Sequence, residues 1–163
     1  MQGLILRERA GTDLNRLVKV ARESGFRCVF AHSRHPGAAE CGADGIHFPD
    51  DGNRGDQPFI WGRSTHSPQA ARAAVSQGAS LVLLSPIWSP SSKPDDLRPT
   101  LGTAALVAAG EGPILALGGI DAFRAEEVRK VGGYGVAVLG ALFDAANPHI
   151  AGERAREFVS RAD

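Results

Sequence analysis

Two glycine turns carry the most specific chemistry in the chain. Leu117-Gly118-Gly119-Ile120 directly follows one apolar run, and Val138-Leu139-Gly140-Ala141 ends the next. Glycine lets a backbone come close to a ligand, and unpaired N–H groups at a helix start bind phosphate. Either turn alone is equally a tight strand-to-helix connection; the two together favour a phosphate site. A second segment, Ser85-Pro86-Ile87-Trp88-Ser89-Pro90-Ser91-Ser92-Lys93, sets hydroxyls and a mobile point charge after another apolar run, chemistry suited to clamping a diphosphate. Taken alone it reads more simply as a Ser- and Pro-rich surface loop. Arg7-Glu8-Arg9 offers two guanidiniums and an orienting carboxylate for the same kind of anion, although a solvated charged turn is the commoner use of such a triplet. In Gly62-Arg63-Ser64-Thr65-His66-Ser67 a Ser and a His lie close enough to invite a nucleophile reading. Neighbouring positions rarely supply that geometry and no acid accompanies them, so Ser64 and Thr65 read as hydrogen-bond partners of a ligand. Cys28, His32, His35, Cys41 and His47 fit no strong zinc spacing, and His47 reads as packed at a strand end.

The elements that must position these groups follow one rhythm, a short apolar run, a turn, then helical spacing. The runs are Leu4-Ile5-Leu6, Cys28-Val29-Phe30, Gly45-Ile46-His47-Phe48, Phe59-Ile60-Trp61, Leu81-Val82-Leu83-Leu84, Ile114-Leu115-Ala116-Leu117 and Tyr134-Gly135-Val136-Ala137-Val138. Leu14, Leu17, Val18 and Ala21 share one helical face before Gly25, and a short stretch around Ala38, Ala39 and Cys41 follows the second run. Ser67-Pro68 opens a helix with Ala71, Ala74 and Val75 on its apolar face, and Asp121 caps one with Ala125, Val128 and Val131. A last helix is expected over residues 149–161. Seven strands alternating with helices predict right-handed crossovers and a parallel sheet, with chemistry in the loops that follow the strands. Pattern alone admits either an open doubly wound sheet or a barrel. The longest irregular stretches are residues 49–58 and 88–99.

The 163 residues fit a single domain, 1–163. Eighteen Lys and Arg balance eighteen Asp and Glu, so no global field draws the chain to nucleic acid or an acidic membrane. No apolar run is long enough to span a bilayer, and the first residues lack a signal-peptide stretch, which points to the cytoplasm. Two cysteines make no disulfide framework.

The ordered occurrence of Ala43-Asp44-Gly45-Ile46-His47, Ser64-Thr65-His66, Ser85-Pro86-Ile87 with Ser92-Lys93, Leu117-Gly118-Gly119-Ile120 and Gly135-Val136-Ala137-Val138 resembles thiamine phosphate synthase and its thiazole tautomerase relatives. The likeness covers nearly the whole chain and is strongest over residues 43–143. It implies a TIM-barrel, (β/α)8-type fold lacking its first βα unit, since Leu4-Ile5-Leu6 falls where the family has its second strand. It also implies a transferase of thiamine biosynthesis. Hydroxymethylpyrimidine diphosphate would ionise and be captured by the nitrogen of a thiazole phosphate, giving thiamine phosphate and diphosphate, with Mg²⁺. By position, Arg7 matches a family arginine, Arg9 stands where a lysine is usual, and Ser64 matches a polar residue near the pyrimidine. Ser92 and Lys93 match a Thr-Lys pair, and Gly118, Gly119 and Gly140 match the thiazole-phosphate loops. Lys93 and Arg7 are therefore the expected catalytic residues, and the others bind substrate.

The departures cluster in one half. Ala31-His32 replaces an Asn-Asp pair whose aspartate is a metal ligand, Pro49-Asp50-Asp51-Gly52 replaces a Gly-Gln and acid, and Pro90 replaces a Thr. Asp50 and Asp51 are the carboxylates left for Mg²⁺. The phosphate half looks intact and the pyrimidine-diphosphate half eroded. Two alternatives follow. One is a tautomerase-like isomerase, although the catalytic His of that group, near the position of Pro86, is absent. The other is a non-catalytic binder of phosphate ligands. A seven-stranded barrel has two open edges, which invite a homo-oligomer or a partner. Small-molecule phosphates and diphosphates are the expected ligands, with no role for nucleic acid or membrane.

Overall fold

The computed structural model describes residues 3–7, 11–55, 60–90 and 97–140. Its elements are β1 (Gly3–Leu6), α1 (Leu14–Glu23), β2 (Cys28–His32), β3 (Gly45–Phe48), β4 (Ile60–Thr65), α2 (Pro68–Ser76), β5 (Leu81–Leu84), α3 (Ala104–Ala109), β6 (Ile114–Ala116), α4 (Ala122–Lys130) and β7 (Gly135–Val136). The seven strands run in chain order, and the pairings of β1 through β4 and of β5 through β7 are parallel. Phe59 and the helix expected over 149–161 lie outside the described residues.

Three helices start where a side chain meets an orphan N–H group. Asp13 accepts from the Arg16 amide at 3.1 Å, Ser67 from Ala70 at 3.2 Å with Pro68 as first helical residue, and Asp121 from Arg124 at 2.8 Å. The chain divides into two compact units, Met1–Ser64 with Gly78–Leu81, and Thr65–Gln77 with Val82–Asp163. In the first, α1 buries Leu14, Val18 and Ala21 against Val29 and Ala31 of β2. In the second, Val82 and Leu84 of β5 have no exposed surface on one face and Leu83, pointing to the other, is also buried, as a strand covered on both faces requires.

The alternation breaks in the first unit. Among the described residues no helix follows β2 or β3. Residues 33–44 are turns around buried Ala38 and Cys41, so the segment near Ala39 forms no helix. Asp44 closes that segment by accepting from the Val29 amide and from Arg22, both at 2.7 Å, and Arg22 holds its carboxyl below the usual range. After β3 the described residues 49–55 continue in turns instead. Arg54 and Arg63 lie 5.1 and 5.5 Å from the centre of the buried Trp61 ring, and Arg63 Nη2 donates to the Gly52 carbonyl at 2.6 Å.

One helix and three boundaries in the second unit also differ from the sequence pattern. Helix α3 is unforeseen: its alanines give little apolar contrast, yet Ala105, Leu106 and Ala109 are buried, and Gly110 ends it at φ +81°. β6 stops at Ala116, one residue before the apolar run does. β7 is shorter than its apolar run, and Tyr134 is exposed. Val131 sits past the end of α4, exposed, and not on the helix's inner face.

Candidate functional site

In the first unit, alternation along the strands sends Gly45 and His47 of β3 and Gly62 and Ser64 of β4 to one face. The glycines make room there. A Cβ at Gly62 would stand 2.9 Å from the Leu81 carbonyl oxygen and 3.1 Å from His47 Nδ1, and one at Gly45 would meet the Phe30 ring at 2.7 Å. His47 fills that space at 2% exposure, and burial, then His32, then Arg7 push its pKa down to about 4. Its Nε2 lies 2.9 Å from Ser64 Oγ, while Nδ1 has no partner among the described residues. With the ring neutral, a proton on Nε2 leaves no buried N–H unmet: Nε2–H donates to Ser64 Oγ, and the serine O–H is left to donate onward. His32, whose ring centre is 6.0 Å away, accepts the Arg34 amide on Nδ1 at 3.2 Å. Its pKa is lowered by burial and by the cationic Arg7 and Arg34. Arg7 stands exposed immediately after β1. The register pairs Leu6 with Ala31, His32 with His47, and His47 with Gly62, so Arg7, His32, His47 and Ser64 gather toward the same strand ends.

The Ser–His proximity of the sequence resolves differently from a nucleophile pair. Ser64 bonds His47, seventeen positions away, whereas His66 Nδ1 donates to the Ser85 carbonyl at 2.7 Å and Arg98 Nη1 lies 3.0 Å from His66 Nε2. Thr65 is not a ligand partner: it is fully buried and its hydroxyl donates to the Leu83 carbonyl at 3.0 Å. The His47–Ser64 pair was readable only as two strand residues of matching parity flanked by glycines.

Asp50 and Asp51 lie exposed on the turn after β3, and both carboxylate oxygens of Asp51 face Arg34 Nη2 at 3.2 and 3.3 Å. Mg²⁺ wants hard, unneutralised oxygens in near-octahedral array. The other described groups at these strand ends are imidazoles, guanidiniums and the Ser64 hydroxyl, and no group of three His, Cys, Asp or Glu side chains among the described residues can hold a metal. The described donor set does not fit Mg²⁺.

The second unit offers backbone instead of side chains. Gly118 and Gly119 follow β6 with φ of +100° and +61°. A Cβ at Gly118 would stand 3.0 Å from the Trp88 carbonyl oxygen, and one at Gly119 would stand 2.6 Å from that of Ser89. The protein's own segment after β5 therefore packs against these glycines, which gives them a packing reason as well. Ala116 pairs with Val136, so the Gly118–Gly119 turn and Gly140 leave neighbouring strands at the same end. Arg9, Ser92 and Lys93 lie outside the described residues, as does the helix expected after Gly140.

Comparison with known proteins bears on the whole arrangement. A family model described as thiamine monophosphate synthase matches residues 7–142. The thiamine-phosphate synthase of Thermus thermophilus is 34% identical over 152 residues, 87% of this chain and 72% of that protein. The solved thiamine phosphate pyrophosphorylase from Pyrococcus furiosus matches with a TM-score of 0.72 at 22% identity, over 97% of this chain and 81% of that one. Its counterpart from Bacteroides thetaiotaomicron matches with a TM-score of 0.68 at 17% identity, over 99% and 97%. At these identities the solved structures speak to fold alone: an α/β architecture of the TIM-barrel type, here with seven parallel strands.

Proposed function

Because the chain belongs to the thiamine monophosphate synthase family, we propose that it is a transferase joining hydroxymethylpyrimidine diphosphate to a thiazole phosphate. The carrying observation is the family match across residues 7–142, which takes in Arg7, Ser64, Lys93 and the glycine turns together. In the reaction the C–O bond between the pyrimidine methylene and diphosphate breaks, its electron pair leaving with the diphosphate. The thiazole nitrogen then supplies the pair for the new C–N bond. Catalysis has to stabilise the charge on the departing diphosphate. Lys93, Arg7 and Arg9 supply cations for it, and Ser92 a hydroxyl. Ser64, its hydroxyl oriented by His47 Nε2–H at 2.9 Å, hydrogen-bonds the pyrimidine. Backbone N–H groups around Gly118, Gly119 and Gly140 hold the thiazole phosphate. No step is assigned to Mg²⁺, since the described donors do not fit it. No helix among the described residues is long and apolar enough to cross a membrane, and we place the reaction in the cytoplasm.

Lys93→Ala tests the reading. Loss of one charged contact should lower kcat/KM for the pyrimidine diphosphate about ten- to hundredfold, with the melting temperature unchanged. Wild-type kinetics in that variant would return residue 93 to an ordinary surface loop. A second reading, a phosphate-ligand binder without turnover, is favoured by one observation: His32 and the Arg34–Asp51 pair occupy the strand ends where metal-binding acids would stand. Binding of both substrates without product would establish it.

A further inference from the structure

Arg124 is the third residue of α4. Its own amide donates to Asp121 at 2.8 Å, which anchors the start of the helix. Its side chain turns back over the preceding turn. Nη1 donates to the Gly119 carbonyl at 2.6 Å, and the guanidinium carbon lies 5.4 Å from the centre of the Trp88 ring. The neighbouring Gly118 carbonyl is held from the same segment, accepting the Trp88 amide at 3.1 Å.

Those two carbonyls decide where the turn's amides point. In a planar trans peptide the C=O of one residue and the N–H of the next are antiparallel. Tying the Gly118 carbonyl to Trp88 turns the Gly119 N–H the opposite way, and tying the Gly119 carbonyl to Arg124 does the same for the Ile120 N–H. Among the described residues neither amide donates to a backbone carbonyl. Glycines with positive φ have wide conformational freedom, so this orientation needs an external tie. The Trp88 ring face adds a cation–π attraction that holds the guanidinium beside the turn.

We infer that Arg124 is a positioning residue for the phosphate turn: laid on Trp88 and bonded to the Gly119 carbonyl, it aims the Gly119 and Ile120 amides at the phosphate of the thiazole substrate. The inference rests on the functional reading above and adds a specificity device to it. Because the amides serve the phosphate group alone, Arg124 governs discrimination between a phosphorylated thiazole and its free alcohol.

Titration calorimetry with hydroxyethylthiazole phosphate and with the unphosphorylated alcohol separates the possibilities. Arg124→Ala should weaken the phosphate ester about tenfold or more, the scale of one charge-assisted hydrogen bond, and leave the alcohol unchanged. Arg124→Lys, which keeps a cationic donor but loses the guanidinium fork, should restore part of the preference. It also carries the test if the alanine variant does not fold. Trp88→Phe, which keeps a ring face, should fall close to wild type. Equal weakening of both ligands, or no weakening of the ester, overturns the inference and leaves the functional reading standing. A wild-type chain that binds the alcohol as tightly as the ester overturns both.

Discussion

In the first unit the candidate site is built of side chains, Arg7, His32, His47 and Ser64, on or just after strands of which two lack a following helix among the described residues. In the second they are backbone amides, held in place by glycines, a tryptophan and an arginine. The contrast separates two kinds of encoding. A side-chain site can exchange a carboxylate for an imidazole at a strand end and leave the strands paired as before, as His32 beside His47 illustrates. A backbone site is written into φ angles and close approaches, so changing it damages the fold itself.

Consequences of different size should follow. The largest is at Gly119. Alanine there combines a left-handed φ of +61° with a Cβ 2.6 Å from the Ser89 carbonyl oxygen, at a cost of about 4 kcal/mol. Denaturant unfolding should show it, and a loss under about 0.5 kcal/mol would mean that the turn adapts freely.

Next is a pH effect in the first unit. His47 has a folded pKa of about 4 against an ordinary 6.5, so the unfolded chain binds the extra proton between those values. Stability is full above about pH 6.5 and falls as pH drops toward 4, by on the order of 3 kcal/mol. His32, Arg7 and Ser64 face the ring, and the two cationic or ionisable neighbours act in the same direction. His47→Gln should flatten the profile across that window; an unchanged slope would assign it to other groups.

Smaller again is Thr65→Val, which leaves the buried Leu83 carbonyl without its hydroxyl donor and should cost about 1–2 kcal/mol. Ligand affinity should stay unchanged, and a drop in affinity without loss of stability would restore Thr65 as a ligand partner. The smallest concerns Asp51, paired with Arg34 while their side chains are 77% and 62% exposed. Asp51→Asn should shift stability by less than about 0.5 kcal/mol. Asp50→Asn combined with Asp51→Asn should leave any Mg²⁺ dependence of the rate where it was; a rise in the Mg²⁺ needed for half-maximal rate would make these aspartates ligands after all.

Much of the fold was legible because it rests on local signals. Ser67-Pro68 and Asp121 mark helix starts by capping chemistry, and the unbroken apolarity of Leu81–Leu84 marks a doubly covered strand. α3 was not, since six residues rich in alanine carry no face to read, and neither was the placing of Arg54 and Arg63 against the Trp61 ring. The glycine turn was visible as a turn, but the reason for its glycines was not: the Pro86–Ser89 segment that crowds it lies about thirty positions earlier in the chain. The His47–Ser64 bond was hidden for the same reason, being set by strand register and not by sequence distance.

The central claim is turnover, and one assay addresses it. The purified chain, given hydroxymethylpyrimidine diphosphate, hydroxyethylthiazole phosphate and Mg²⁺, should release thiamine phosphate and diphosphate in equal amounts, and lose that activity when Lys93 and Arg7 are both replaced by alanine. Tight binding of both substrates with no thiamine phosphate formed would contradict the account and make the chain a phosphate-ligand binder.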